Sequence, residues 1–167
     1  MKEIDIHPIH GFKDEFDFLS NFYVSEVLYE GVLYQSSEHA FQAAKTLDTK
    51  LRMKISAADT PSRAKKLGRQ LEIRPDWEEV KITVMEHVVR SKFKRNRWIA
   101  QKLINTGSRH LLEGNSWHDN TWGNCFCHQC ESITGKNLLG VLLMEERALL
   151  KNGIYDFMNF YTVARDL

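Results

Sequence analysis

Val27-Leu28-Tyr29-Glu30-Gly31-Val32-Leu33-Tyr34-Gln35-Ser36-Ser37-Glu38-His39-Ala40-Phe41-Gln42 changes its period midway. Its first half sets aliphatic and aromatic triplets on either side of Glu30-Gly31, the pattern of two short strands closed by a tight hairpin. Ser36 or Ser37 then supplies an N-cap, and the spacing predicts a helix to about Leu47 with Glu38 favourably placed in its first turn. At about 100° per residue, Glu38, Gln42 and Lys45 share one face while Ala40, Ala44 and Leu47 take the opposite one. A carboxylate, an amide and an ammonium along one face can line a pocket. Periodicity by itself favours an ordinary solvated face.

Working outward, residues 12–35 are rich in aromatic and aliphatic residues broken by short polar turns. Thr60-Pro61 opens a short helix expected to end near Gly68, since proline suits the first helical position. Pro75-Asp76-Trp77 begins a long amphipathic helix to about Arg95, with Trp77, Val80, Val84, Met85 and Val88 on its apolar stripe. Trp98 to Asn105 is expected to be helical and closed by Gly107. His110-Leu111-Leu112 suits a strand. Asn137 to Lys151 predicts a helix apolar nearly all round in its first half, hence central to the core. The expected class is α+β, a single compact helix-rich domain with a small β-sheet over residues 1–167.

The chain has 167 residues, 43% of them hydrophobic, enough for one sizeable core. Lys and Arg total 23 against 22 Asp and Glu, a net charge of +1, so any basic patch for a nucleic acid has to be local. Met1-Lys2-Glu3-Ile4-Asp5 lacks an apolar signal core, and no apolar run approaches the ~20 residues that span a bilayer. Three cysteines lie within six positions, a poor disulfide framework that suits a reducing compartment. A cytoplasmic monomer without a membrane partner is expected.

Three further places carry more polar chemistry than packing requires. Lys92 falls on the apolar stripe of the long helix; it either snorkels from the helix end or aims into a cleft to hold phosphate or act as an amine of lowered pKa. Asn96 follows one turn later on the same face. Residues 113–124 form a long loop in which Trp117 and Trp122 can stack a planar base and Glu113 and Asp119 supply carboxylates; alternatively the tryptophans anchor an Ω-loop. Cys125, Cys127 and Cys130, with His118 or His128 nearby, have the residue types of a zinc site. Only one knuckle is visible, so reduced structural cysteines without metal are the expectation.

Several motifs occur in one order: Phe18-Leu19-Ser20-Asn21-Phe22, Tyr34-x-Ser36-x-Glu38-His39-Ala40-Phe41-Gln42-Ala43-x-Lys45, Lys92-Phe93-x-x-Asn96, Thr106-Gly107, Leu112-Glu113, Asp119-x-x-Trp122-Gly123 and Asn137-x-Leu139-Gly140-x-x-Leu143-Met144-x-x-Arg147. Together they resemble the YbiA-like, or NADAR, family across almost the full length. Asn124-Cys125-Phe126-Cys127 departs from a more glycine-rich continuation in some members.

The resemblance implies hydrolysis of a ribosyl N-glycosidic bond without a cofactor. The implied substrates are a ribosylamino-pyrimidine phosphate of early riboflavin synthesis or ADP-ribose on a guanine base, with nucleic acid then a carrier of the modified base. Such cleavage builds positive charge on the ribose, which a fixed carboxylate stabilises while a proton donor helps the base leave. Glu38 and Asp119 are the implied pair. Lys92 is implied to secure phosphate or, less directly, to trap an opened sugar. Phe22 and Trp122 are candidates to sandwich the base and Asn21 and Gln42 to read it, with Ser20, Tyr34, Lys45, Asn96 and Gly123 completing the site. Two rivals stand beside the enzyme: a module that binds ADP-ribose or a modified base without cutting it, and a zinc-stabilised nucleic-acid module built on the cysteines.

Overall fold

A computed structural model of the chain describes residues 6–153; the reading of residues 1–5, and the share of the expected domain in 154–167, lie outside the described residues. The hairpin forms where the sequence places it. Strand β2 (Val24–Tyr29) pairs antiparallel with β3 (Val32–Ser36), Leu28 opposite Leu33, with a bulge between Val24 and Val27. Glu30 (φ 45°) and Gly31 (φ 76°) both take positive φ, which matches the twist of the flanking strands. Val27 and Tyr29 point into the core, while Leu28 and Leu33 stay exposed.

Helix α1 (Ser37–Ala43) is shorter than expected, and all seven residues are buried, so neither of its faces is solvated. The chain turns at Lys45–Leu47, and Asp48 caps a new helix, α2 (Thr49–Ser56), accepting from the Lys50 and Leu51 amides at 2.8 and 3.2 Å. Nothing in the apolar pattern announces α2, because only Arg52 and Ile55 of its residues are buried. Arg52 holds it in place, pairing with Glu30 of the hairpin turn and donating to the Thr46 carbonyl at 2.7 Å.

Helix α3 (Pro61–Gly68) is capped by Thr60 and α4 (Trp77–Arg95) follows the predicted bounds. Val84, Met85, Val88, Val89 and Phe93 carry the buried stripe of α4, which packs beneath β2. Helix α5 (Arg97–Asn105) begins after Asn96 and ends near Gly107, whose φ is 69°. Short parallel ladders join β1 (Ile9–His10) to β4 (Leu111–Leu112) and β5 (Gly114–Asn115) to β6 (Asn124–Cys125). The expected single small sheet is therefore three two-stranded pieces among the described residues. Helix α6 (Leu138–Lys151) lies against α4 and α5, burying Leu139, Leu142 and Leu143 while Val141 faces outward. The architecture is α+β with helices dominant. No helix among the described residues is long and apolar enough to cross a membrane.

Candidate active site

The N-terminus of α1 is fixed by a self-consistent set of bonds. Ser36 Oγ accepts from the His39 amide (3.3 Å) and meets His39 Nδ1 at 2.8 Å, while His39 Nε2 meets the Ala58 carbonyl at 3.1 Å. A carbonyl can only accept, so Nε2 carries the hydrogen and Nδ1 accepts from the Ser36 hydroxyl. Burial also pushes the His39 pKa down, favouring this neutral ring. The Glu38 amide donates to the Asn21 carbonyl (2.9 Å), and Glu38 Oε1 accepts from Gln42 Nε2 (2.8 Å). A Cβ at Gly68 would collide with the Gln42 carboxamide, so glycine there lets α3 close against α1.

The loop after β4 supplies two more carboxylates. Asp119 Oδ1 accepts from the Thr121 and Trp122 amides at 3.0 and 2.9 Å. Asn115 holds the same turn, its amide donating to the Asp119 carbonyl and accepting from the Asp119 N–H. Glu113 is positioned from behind. Asn137, in left-handed backbone with φ 50°, accepts from the Glu113 amide (3.0 Å) and donates to the Leu111 carbonyl (2.8 Å). Gly123 packs directly on the Glu113 carbonyl, where a Cβ has no room.

These pieces enclose a cavity of about 580 Å³, a size that suits a small ligand. Glu38 and Gln42 of α1, Ser20, Asn21 and Phe22 of the segment before β2, and Glu113, Asp119 and Trp122 of the loop all line it. Lys13, Lys45, Lys65 and Arg69 add four cations to its wall. Phe41 stacks obliquely on Trp77 (5.1 Å between ring centroids) and meets Trp122 edge-on (5.2 Å). Lys65 Nζ lies 5.3 Å from the Phe22 ring centroid.

Burial raises the pKa of two of the carboxyls. Burial pushes the Glu38 pKa up, against the pull of the Gln42 bond and of Lys65, Lys45 and Arg69. Glu113 is pushed up to about 7, chiefly by burial and further by the charges of Asp119 and Glu38. Part of the Glu113 residue reaches solvent, but its Oε2 is shielded and has no hydrogen-bond partner. A carboxyl that keeps its proton to about pH 7 thus shares one space with the Glu38 and Asp119 side chains.

Four of the expected site residues do not line the cavity. Lys92 is 1% exposed, its Nζ donating to the Ser20 carbonyl at 2.8 Å, and burial pushes its pKa down to about 7. Its amine holds the Ser20 segment and lies within electrostatic range of Glu113, so it does not snorkel outward, and it is not among the residues that line the cavity. Asn96 ties the α4–α5 junction to the Glu26 carbonyl of β2 (3.0 Å). Tyr34 is buried within electrostatic range of Arg52 and Glu30, and Gly123 is a packing position. Sequence reasoning gave Glu113 no role beyond that of a loop carboxylate, and it missed Lys65 and Arg69. The i, i+4 spacing of those two cations was the available signal; solvated helical cations look the same.

A NADAR domain model matches residues 10–151. The chain belongs to the NADAR family. It is 35% identical over 139 residues to N-glycosidase YbiA of Escherichia coli, spanning 82% of this chain and 83% of that one. It is 34% identical over 147 residues to an N-glycosidase of Nostoc punctiforme, spanning 82% and 90%. A riboflavin biosynthesis protein of Vibrio vulnificus is 32% identical over 163 residues, 95% of this chain but only 43% of its own length. The NMR structure of E. coli YbiA superposes with a TM-score of 0.78 at 32% identity, covering 91% of this chain and 89% of that one. In this NADAR chain the ordered motifs thus divide by place. Those around Ser20, Glu38, Glu113 and Asp119 line the cavity, while those around Lys92 and Asn137 brace it from behind.

Beside the cavity loop, the donor atoms of His118, Cys125, Cys127 and Cys130 all lie within 4.8 Å of one another. These residues could hold a metal; His118, rather than His128, is the histidine the fold brings to the thiols.

Proposed function

We propose that the chain is an N-glycosidase that hydrolyses a ribosyl–nitrogen bond. The observation that carries this reading is the convergence of Glu38, Glu113 and Asp119 on one cavity walled by aromatic rings and cations. Cleaving such a bond separates charge: the ribose becomes oxocarbenium-like and the departing nitrogen gains electron density. The side chains of Asp119 and Glu38, both lining the cavity, are placed to stabilise the sugar cation or orient the attacking water. Glu113, protonated to about pH 7, is placed to protonate the leaving nitrogen. Phe22 and Trp122 offer faces for the base.

In this reading Lys45, Lys65 and Arg69, which line the cavity where Lys92 does not, take the phosphate role. The net charge of +1 hides this local concentration of cations. Two substrate classes fit: a ribosylamino-pyrimidine phosphate, and ADP-ribose joined to guanine, free or in a nucleic acid. The names of the relatives favour an N-glycosidase, and one favours the riboflavin route.

The test is incubation with each substrate class followed by chromatography, using wild type and Glu38→Gln. Release of the base or amine with free ribose phosphate or ADP-ribose is expected, slowed about 10²–10⁴-fold in the variant. Tight binding without product, unaffected by Glu38→Gln, would mark a non-cutting binding module instead.

A further inference from the structure

One imidazole nitrogen of the cavity loop faces two thiols at once. His118 Nδ1 lies 3.3 Å from Cys127 Sγ and 3.3 Å from Cys130 Sγ, and Cys125 Sγ completes a set of four donor atoms within 4.8 Å of one another. A ring nitrogen has either one hydrogen or one lone pair in its plane, so it can make one good hydrogen bond, not two equal ones. A shared cation accounts for the whole arrangement. In a tetrahedron with Zn–S near 2.3 Å and Zn–N near 2.0 Å, sulfurs stand about 3.8 Å apart and nitrogen about 3.5 Å from each sulfur. The four donors are close to those spacings.

The surroundings suit a metal as well. Asn120 Nδ2 donates to Cys130 Sγ at 3.4 Å, and its Oδ1 accepts from the Cys125 amide at 2.9 Å; such outer bonds orient thiolate ligands. His118 holds left-handed backbone with φ 66°, rare for a residue with a side chain. Cys125 and Cys130 are buried, and all three cysteines are free thiols. The β5–β6 ladder sets Cys125 beside Asn115, which itself grips Asp119.

We propose that His118, Cys125, Cys127 and Cys130 bind one structural Zn²⁺ that fixes the Asp119–Trp122 segment of the cavity wall. Three soft thiolates and an imidazole select zinc among common divalent ions. Four protein ligands close the coordination sphere, so the ion has no open position for substrate. Binding releases the three thiol protons to solvent. Between the ligands His118 and Cys125 lie Asp119 and Trp122, so the ion closes a short ring of chain around both.

The test uses the full-length protein purified under reducing conditions, and its readouts are independent of the glycosidase reading. Elemental analysis is expected to give one zinc per chain, and cobalt substitution the intense visible bands of a tetrahedral cobalt–thiolate centre. Cys127→Ser and His118→Ala alter less buried ligands and should each weaken metal binding by more than about 100-fold. Chelation should speed amide exchange in residues 116–135 while leaving α4 unchanged. Sub-stoichiometric metal in reduced protein given excess zinc, or full retention of zinc by both variants, would overturn the site. Unchanged exchange in the loop after complete zinc removal would overturn its fixing role.

Discussion

Replacing Glu113 with glutamine removes one proton site while keeping the side chain's shape. The wild-type carboxyl keeps its proton to about pH 7, where an ordinary glutamate lets go near 4.5. Below about pH 4.5 the folded and unfolded chains are both protonated at this position, so burial costs nothing extra. As pH rises the unfolded carboxyl ionises first, and above about pH 7 the folded state bears the whole penalty. At 1.36 kcal/mol per decade of proton affinity, the interval from 4.5 to about 7 amounts to about 3.4 kcal/mol. Glu113→Gln has no such penalty. Its stability relative to wild type should therefore climb with pH by about 3 kcal/mol between about pH 4.5 and about pH 8. For a chain of this size that is about 6–12 °C in Tm. Scanning calorimetry and urea unfolding across that range measure the difference. A difference that stays flat, or falls as pH rises, refutes the assignment of a raised Glu113. The same variant cannot donate a proton, so turnover should drop about 10²–10⁴-fold; a stabilised variant with full activity refutes the acid role.

Asp119→Asn keeps an oxygen for the Thr121 and Trp122 amides, so calorimetry should show a Tm close to wild type while kcat falls about 10²–10⁴-fold. Gly68→Ala pushes on the Gln42 amide; despite the roughly 1 kcal/mol helical advantage of alanine, it should lower both Tm and kcat. Lys92→Met removes an amine that folding makes harder to protonate, with a pKa of about 7 against 10.5. The wild-type penalty is complete below about pH 7 and fades toward 10.5, so the variant should gain most at low pH, less the lost Ser20 bond. Urea titrations at several pH values read that trend. Trp122→Ala should raise KM by about 5–150-fold, as expected for losing a stacked base worth about 1–3 kcal/mol, in steady-state kinetics.

Local chemistry made the hairpin, α3 and α4 legible. Glu30-Gly31 supplies the turn, Thr60-Pro61 the cap and first position, and Val84, Val88 and Met85 the period. Helix α2 was hidden because an ion pair and a cap hold it rather than an apolar stripe. Lys92 was legible as a lysine on the apolar stripe, but the choice between snorkelling outward and turning inward depends on the Ser20 carbonyl, 72 residues away. The family motifs placed Glu38, Asp119, Gln42 and Trp122 together; composition could not. Glu113 becomes distinctive only through the fold, where Asn137 and Gly123 fix its backbone from segments distant in sequence. The sequence offered both His118 and His128 to the thiol cluster and could not choose, since His118 reaches the knuckle by a turn of the backbone and not by regular spacing.

Asn137 has a consequence for how this loop is able to change. One carboxamide grips the main chain at Glu113 and Leu111 while its own backbone starts α6. The two ends of the intervening stretch are thus riveted together at its base. Whatever length or composition lies between them, the base keeps its shape, and Glu113 stays aimed at the cavity. Asp119 and Trp122 keep their places at the cavity, while the segment beyond Gly123 is free to diversify as an interchangeable cartridge, and a cysteine-bearing version can replace a glycine-rich one without re-machining the socket.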